Sequence, residues 1–248
     1  FTIVGDTILP LVDAAADEGI QFIDTRHEGA ALHMADGYAR ITGRPAVGIF
    51  TGGPGFSNAI SALPAIYTSE SPVVFIAGAA ELPQKGMSAF QEIDQIGMTT
   101  PVTKGSWMIH DKTRIPEMVA TAFRTATTGR PGPVVIAIPD SDAQYDDALD
   151  PYVPVKGSKY APDPADVAGA VDLLLKAENP LIYAGEGVIY AGASAELKAF
   201  AELVNAPVIT TLKAKGAFPE DHPLFVGVRG GQVNHYLDKC DLLFAVGS

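Results

Sequence analysis

Short apolar runs alternate with helix-like stretches along this sequence, and that alternation constrains the fold more than any other feature. The runs at residues 20–24, 46–50, 73–77 and 134–138 predict buried strands. Between and after them, segments 28–41 and 115–126 carry apolar or small residues at helical spacing. Strands that alternate with helices are typical of a parallel sheet with helices on both faces. The sequence therefore predicts an α/β fold.

A second feature is the loss of this pattern in the middle of the chain. Aspartates mix with prolines from about residue 141 to residue 164, and no periodicity remains. We interpret 1–140 as a first domain, 141–164 as a linker and 165–248 as a Rossmann-like second domain. Its predicted elements are helices at 166–177 and 193–204 and strands at 181–184, 207–210 and 242–246. We expect this domain to be incomplete, because so few strands would leave an apolar sheet edge open.

Charge and composition exclude several classes of protein. Acidic residues (29) outnumber basic ones (17), and the net charge is −12, which argues against binding to a nucleic-acid backbone. No apolar run approaches the roughly 20 residues that span a bilayer. The chain has one cysteine, Cys240, and no signal-peptide pattern, which favours a cytoplasmic location.

Glu28 is the first candidate functional residue. It follows the predicted strand at 20–24 and begins a predicted helix, and ligands bind at such carboxyl ends of strands in open α/β sheets. Because Glu28 shares a helical face with Leu32 and Ala35, we expect its carboxylate to point toward the interior. A glutamate that completes the helix cap is the alternative, since the helix dipole favours an acid there. Position alone leaves both interpretations open.

The turn at residues 52–58 (GGPGFSN) is the second candidate. Gly53 and Gly55 supply two of the three glycines of a dinucleotide-binding turn, but Asn58 stands at the third position and no acidic residue follows a next strand. This pattern indicates a backbone that approaches a ligand closely, with Asn58 able to hydrogen-bond to it. Pro64 lies in the predicted helix that follows and should kink it, because it removes a hydrogen bond.

Residues 86–95 form a polar stretch that predicts a surface loop. The five histidines lack metal-ligand spacing, and the sequence has neither a nucleophile elbow nor a phosphate loop. Metal, serine-hydrolase and phosphate-loop chemistry are therefore not indicated by motifs.

Together these stretches resemble one family, the thiamine-diphosphate-dependent enzymes of the acetolactate synthase type. The similar segments follow the order of that family along essentially the whole chain: 26–40 (RHEGAALHMADGYAR), 52–58 (GGPGFSN), 89–92 (AFQE), 101–104 (PVTK), 129–134 (GRPGPV), 207–212 (PVITTL) and 216–224 (GAFPEDHPL). The resemblance implies a pyrimidine-binding first domain and part of a central domain. It places a strand at 101–104, after the active-site loop.

The resemblance also implies roles for individual residues. Glu28 would hydrogen-bond the pyrimidine ring and so activate thiamine diphosphate. The remaining roles are cofactor binding by Val4, Gly5, Pro54 and Asn58, catalysis and substrate contact by Gln91, and shaping of the substrate pocket by Phe90 and Lys104.

The sequence departs from the family pattern at several positions. Gly29 replaces the usual glutamine. The resemblance implies FAD as an optional further cofactor, and Lys213, which replaces the methionine of many members, weakens that implication without removing it. The Gly-Asp-Gly segment and paired asparagines that bind the diphosphate through Mg²⁺ are not in this chain, so we expect no metal ligand here. In the family that third domain lies C-terminal to the residues given.

The predicted function is decarboxylation of a 2-oxo acid with acyl transfer, as in acetolactate synthase and branched-chain amino-acid biosynthesis. The resemblance further implies a homodimer or homotetramer with the active site at a subunit interface. One alternative is another thiamine-diphosphate-dependent decarboxylase or lyase. Two others are a nicotinamide-dependent oxidoreductase, suggested by Gly53-x-Gly55 and Gly185-x-Gly187, and a domain retained only for assembly.

Overall fold

The computed structural model of the protein describes residues 1–139, 152, 153, 155 and 160–248. The chain divides into two compact units, Phe1–Ser158 and Lys159–Ser248. Most of the predicted linker at 141–164 lies outside the described residues. The predicted domain limits therefore stay a prediction.

The first unit is built on a parallel sheet of five strands in the order β1-β2-β3-β5-β4. Its strands are β1 (Thr2–Ile3), β2 (Ala46–Phe50), β3 (Val73–Ala79), β4 (Gly105–Met108) and β5 (Val134–Pro139). Its helices are α1 (Leu9–Asp17), α2 (Glu28–Thr42), α3 (Pro54–Ile60), α4 (Leu63–Thr68), α5 (Gln95–Thr99) and α6 (Ile115–Thr127).

Two apolar layers cover the two faces of this sheet. Phe75 of β3 packs in the layer that contains Leu32 of α2. Its neighbour Ile76 packs in the other layer, with Ala122 of α6. Successive side chains of a strand point to opposite faces, so a strand that is buried throughout reads as a continuous apolar run. The predicted α/β class with helices on both faces is confirmed.

The single helix that Pro64 was predicted to kink is instead two separate helices. Helix α3 ends at Ile60 and α4 begins at Leu63, with Pro64 in its first turn. Proline lacks the N–H that would continue the helical ladder, and it is tolerated where a helix begins.

The buried strand predicted at residues 20–24 is wrong. This segment makes a single parallel bridge, Thr2 to Asp24, and Ile20 is 59% exposed. Its partner β1 has only two residues and lies at the sheet edge, so the ladder cannot extend. Glu28 therefore follows an extended edge segment.

No apolar run predicted three of the strands: β1, β4 and, in the second unit, β8 (Phe225–Gly227). All four residues of β4 are half-buried, as expected for an edge strand without a strong apolar run. The strand implied at 101–104 begins instead at Gly105, because Pro101 lies in a 3₁₀ turn (Thr100–Val102).

The second unit has a parallel sheet of four strands in the order β8-β7-β6-β9. The strands are β6 (Pro180–Ala184), β7 (Val208–Thr210), β8 (Phe225–Gly227) and β9 (Leu242–Val246). The helices are α7 (Pro164–Lys176), α8 (Gly187–Tyr190), α9 (Ser194–Val204) and α10 (Gly231–Lys239). Leu197 of α9 and Val233 of α10 belong to different apolar clusters of this sheet.

Candidate active site

The carboxyl edge of the first sheet carries most of the predicted site residues. Strand β2 ends at Phe50, and the turn that follows leads into α3. The N-terminus of α2, the turn after β1 and the loop after β3 reach the same edge. Strands that run in parallel bring their carboxyl ends together, so residues far apart in sequence meet there.

Glu28 is the first residue of α2 and is half-buried. The cap of this helix is supplied by His27, whose Nδ1 accepts a hydrogen bond from the Gly29 N–H at 3.0 Å. The Glu28 carboxylate instead accepts from Asn58: Nδ2 donates to Oε2 at 3.0 Å. The alternative in which Glu28 caps the helix is therefore wrong, because the His27 side chain forms the cap. The carboxylate lies at the rim of the core, less deeply than its helical face predicted.

The glycines of the 52–58 turn keep space open beside this carboxylate. Gly53 has φ 58° and ψ −115°, a conformation that side-chain-bearing residues avoid. A Cβ on Gly55 would lie 2.6 Å from Thr51 Cγ2 and 3.5 Å from Glu28 Oε1. Glycine at position 55 thus avoids a clash with Thr51 and keeps a side chain away from Oε1.

Gly29, a departure from the family pattern, also has a steric explanation. A Cβ there would lie 3.0 Å from Ser61 Oγ and 3.3 Å from the carbonyl oxygen of Asn58. Glycine lets α2 pack closely on α3, and this close packing accompanies the Glu28–Asn58 hydrogen bond.

Val4 and Gly5 follow β1 and adjoin the same turn. A Cβ on Gly5 would lie 2.6 Å from Thr51 Cβ, so the Gly5 backbone lies directly against Thr51. The Val4 side chain is 46% exposed. The structure thus brings Gly5, Glu28, Pro54 and Asn58 to one edge.

The loop after β3 brings Gln91 to this group. Gln91 has a left-handed backbone (φ 61°), and a Cβ on Gly53 would lie 2.7 Å from Gln91 Cβ. Its Oε1 accepts a hydrogen bond from Thr51 Oγ1 at 3.3 Å. Non-glycine residues in this region are uncommon and cluster at functional sites. The side chain of the adjacent Phe90 is 73% exposed.

The Glu92 carboxylate holds the predicted loop at 86–95 in shape. It accepts hydrogen bonds from the Gly86 N–H at 2.6 Å and the Ala89 N–H at 3.2 Å. The loop therefore has internal order around Gln91.

Lys104, which was predicted to shape the substrate pocket, does not lie with the other residues at the carboxyl edge. It directly precedes β4, whose Gly105 pairs with Val134 at the start of β5, so it lies at the amino edge of the sheet. Its Nζ donates to the carbonyl oxygens of Thr125 and Thr128 at the end of α6. Burial lowers the pKa of the Lys104 ammonium. The residue stabilises a helix terminus.

Two residues at the carboxyl edge were missed by sequence reasoning, Thr7 and Thr51. Their hydroxyl oxygens lie 2.9 Å apart, and the Gly52 N–H donates to Thr7 Oγ1 at 2.9 Å. Threonines are common in turns, and no motif marks these two.

A groove of about 810 Å³ adjoins the outer side of this loop, between Glu92, Asp94 and the edge strand β4. Its acidic side chains are already used locally: Asp94 accepts from the Gly97 N–H and Asp111 from the Thr113 N–H. Glu28 does not line it.

The glycine turn of the second unit follows β6. The Gly185 N–H donates to the Val246 carbonyl and the Gly187 N–H to the Gly247 carbonyl, both at 2.8 Å. Lys213, after β7, forms an ion pair with Glu186 at 3.5 Å. These backbone donors are occupied by the protein itself.

The described ranges contain neither a metal-binding cluster nor a membrane-spanning helix. Over residues 1–139 and 160–248, no group of three or more His, Cys, Asp or Glu side chains could hold a metal ion. The helices of these ranges include none with both the length and the apolar character of a bilayer span.

Comparison with protein families gives two matches. Residues 1–98 match the thiamine pyrophosphate enzyme N-terminal TPP binding domain, and residues 167–248 match the thiamine pyrophosphate enzyme central domain.

Several curated relatives are acetolactate synthase large subunits. A probable large subunit from Methanocaldococcus jannaschii is 41% identical over 98% of this chain and 43% of its own length. The Corynebacterium glutamicum large subunit is 40% identical over 100% of this chain and 41% of its own length. The isozyme 2 large subunit of Escherichia coli K12 is 37% identical over 98% of this chain and 45% of its own length. The chain thus spans less than half the length of these relatives.

A solved structure is also similar. It is an X-ray structure of a putative thiamin diphosphate-dependent enzyme from Mycobacterium smegmatis, with a TM-score of 0.91 and 29% identity. The match covers 100% of this chain and 49% of that one.

Proposed function

Because the chain belongs to the thiamine pyrophosphate enzymes, with their N-terminal TPP binding domain and central domain, we propose that it serves in thiamine-diphosphate-dependent decarboxylation of a 2-oxo acid. The acyl unit is then transferred to an acceptor, and an acetolactate synthase-like carboligation is the leading candidate. The single observation that carries the proposal is the Glu28–Asn58 pair beside the glycine turn at the carboxyl edge of the first sheet.

The residues at this edge fit an aminopyrimidine ring. Oε2 of Glu28 is held by Asn58, while Oε1 lies beside Gly55, where an added Cβ would be 3.5 Å away. A flat heterocycle needs a narrow cleft, which a glycine without a side chain provides. Gly5 and Pro54 border the same cleft in the proposal.

The cofactor supplies an acidic carbon, C2 of its thiazolium ring, which adds to carbonyl groups once deprotonated. The role of Glu28 is to share a proton with a ring nitrogen of the pyrimidine, and Asn58 fixes the direction in which the carboxylate faces. Gln91 lies across the Gly53 turn from this pair and is proposed to contact the substrate. Phe90, exposed in the described chain, is proposed to border the substrate entrance.

Neither Mg²⁺ nor FAD finds a fitting site at the positions considered among the described residues. The described residues do not fit a metal site, and the proposal assigns no metal ligand to this chain. The Gly185–Gly187 turn does not fit a dinucleotide pyrophosphate, because its N–H groups are bonded to the Val246 and Gly247 carbonyls. This observation disfavours FAD there, and it disfavours the nicotinamide alternative equally.

We further propose a homo-oligomer in the cytoplasm with the active site at a subunit interface. On α2 the apolar side chains of Met34, Tyr38 and Ile41 are 44%, 43% and 89% exposed, and they share one helical face. Contiguous exposed apolar residues commonly mark association surfaces. This face belongs to the helix that begins with Glu28.

The test is an assay of the whole enzyme with thiamine diphosphate and Mg²⁺ against a panel of 2-oxo acids. Release of CO₂ that requires the cofactor is expected, with an acetolactate as product from pyruvate. No CO₂ from any member of the panel would contradict the proposal. Decarboxylation to a free aldehyde without carboligation would support the alternative of a simple decarboxylase.

A further inference from the structure

A row of hydrogen-bonding groups runs from the turn after β1 to Gln91. The Gly52 N–H donates to Thr7 Oγ1, Thr7 Oγ1 lies 2.9 Å from Thr51 Oγ1, and Thr51 Oγ1 donates to Gln91 Oε1 at 3.3 Å. The three side chains come from three segments of the carboxyl edge. All three are half-buried.

The direction of this row follows from counting hydrogens. A hydroxyl group has one hydrogen and two lone pairs. Thr51 uses its hydrogen for Gln91 Oε1, so Thr7 donates to Thr51 and accepts from Gly52. With the opposite direction, the Thr7 hydrogen would have no acceptor among the contacts of the described residues. The row therefore runs from Thr7 through Thr51 to the Gln91 carbonyl oxygen.

The backbone restricts Gln91 as well. Gln91 has a left-handed backbone (φ 61°) and packs against Gly53. These two features fix the position of its Cβ atom and the direction of its Cα–Cβ bond. The Thr51 bond then determines which end of the amide faces the protein. Since Oε1 accepts from Thr51, the Nε2 group, with two N–H donors, is the end of the amide that is turned away from Thr51.

We propose that Thr7 and Thr51 are positioning residues that orient the Gln91 amide so that its NH₂ group faces the substrate. An amide that presents donors selects a partner with acceptor oxygens, and hydrogen bonds to an anionic acceptor are stronger than those to a neutral one. The chemistry selected is the carboxylate or keto oxygen of a 2-oxo acid. This inference rests on the proposed function and specifies its substrate class.

Isosteric substitutions test the row. Thr51→Val in the whole enzyme should raise KM for the 2-oxo acid about tenfold, because one end of the amide loses its anchor. Thr51→Ser, which keeps the hydroxyl, should restore the wild-type KM. Thr7→Val should have a smaller effect of the same kind, about threefold, because it removes only the outer donor. If Thr51→Val fails to fold, the KM of Thr7→Val tests the same row of hydrogen bonds.

The matched control is Thr103→Val. Thr103 is a buried threonine whose hydroxyl donates to the Thr99 carbonyl at 2.9 Å, next to the amino edge of the sheet. This variant loses a hydrogen bond of the same type and should leave KM unchanged. A rise in KM in this control as large as that in Thr51→Val would show a general packing effect and overturn the proposal.

Two further measurements separate positioning from packing. In a Gln91→Ala background, Thr51→Val should have no additional effect on KM, because coupled residues are not additive. A 2-oxo amide has no carboxylate to lose and can bind only as an inhibitor. Thr51→Val should therefore change the inhibition constant of the amide less than it changes KM for the acid, since the charged acceptor is gone. A full effect in the Gln91→Ala background, or no rescue by Thr51→Ser, would refute the inference.

The two proposals fail in different ways. If the wild-type enzyme turns over no 2-oxo acid, the proposed function is wrong. If it does turn over one and both threonine-to-valine variants keep the wild-type KM, only the positioning role is wrong. Hydrogen–deuterium exchange at C2 without substrate should be unchanged in Thr51→Val, because Glu28 is not part of the row.

Discussion

The carboxyl edges of the two sheets differ in what fills them. At the first, side chains from separate segments hydrogen-bond across the edge, as in the Glu28–Asn58 and Thr51–Gln91 pairs. At the second, the Gly185–Gly187 turn is bonded to the backbone after β9, and Glu186 pairs with Lys213. Both sheets are parallel and have helices on their faces. The comparison teaches that the fold supplies an edge, whereas the residues at that edge decide whether it can act on a ligand.

We expect the largest effect from replacing Glu28, the carboxylate at the carboxyl edge of the first sheet. Glu28→Gln in the whole enzyme should slow hydrogen–deuterium exchange at C2 of the bound cofactor by about 10²–10⁴-fold, since a proton-sharing group is lost. NMR of quenched samples measures the exchange. Glu117→Gln is the control, because Glu117 pairs with Arg114 at an exposed position of α6. An unchanged rate in Glu28→Gln would remove the functional difference between the edges.

A smaller effect is expected from the partner of this carboxylate. Asn58→Ala removes the donor to Glu28 Oε2 and should slow C2 exchange about tenfold. Ser57→Ala, one residue away, loses only a hydroxyl that donates to the Pro54 carbonyl, and its exchange rate should match the wild type. Equal rates in both variants would mean that Asn58 does not orient Glu28.

A substitution at the amino edge of the first sheet should change the stability of the protein and leave the rate of C2 exchange unchanged. Lys104→Met removes the donor to two carbonyl oxygens at the end of α6 and should lower the free energy of unfolding by about 1–3 kcal/mol. Chemical denaturation measures the loss, and Lys239→Met, at an exposed position, should cost little. C2 exchange should stay at the wild-type rate. A slower C2 exchange in Lys104→Met would show that Lys104 contributes to the proposed active site.

The same residue predicts a dependence on pH. Burial lowers the pKa of Lys104, so the unfolded chain binds this proton more tightly than the folded protein. The free energy of unfolding should therefore rise with pH from the folded pKa up to the ordinary value of 10.5. The stability difference between wild type and Lys104→Met should grow over that interval. A constant difference would contradict the desolvation of Lys104.

The smallest effect is expected at the second edge. Purified enzyme should show no flavin absorbance, because the N–H groups of the Gly185–Gly187 turn are occupied. Lys213→Met, which restores the residue common in the family and breaks the pair with Glu186, should leave flavin content and turnover unchanged. Flavin bound to the wild type or to Lys213→Met would contradict this prediction. It would mean that the carboxyl edge of the second sheet, like that of the first, can bind a ligand.

How far the sequence predicts the structure depends on the range of the interactions. The limits of β2 and β9 follow directly from continuous apolar runs, and the break before α4 follows from Pro64. The segment at 20–24 (IQFID) has only three apolar residues among five, and it lacks a neighbour long enough to pair with. Edge strands such as β4 carry mixed residues, so their pattern is weak. Among the site residues, Glu28 and Asn58 stand in motifs, whereas Thr7 and Thr51 do not.

Local pattern by itself determined the α/β alternation, the glycine-proline turn after β2 and the start of α2 at Glu28, because each depends on residues a few positions apart. Tertiary structure alone decided that Thr7, Thr51 and Gln91 meet at one edge and that Lys104 lies at the other. These placements depend on the order and register in which parallel strands pair, and no local periodicity encodes that pairing. Whether a side chain near an active-site motif belongs to the site is thus settled by which end of its strand it occupies.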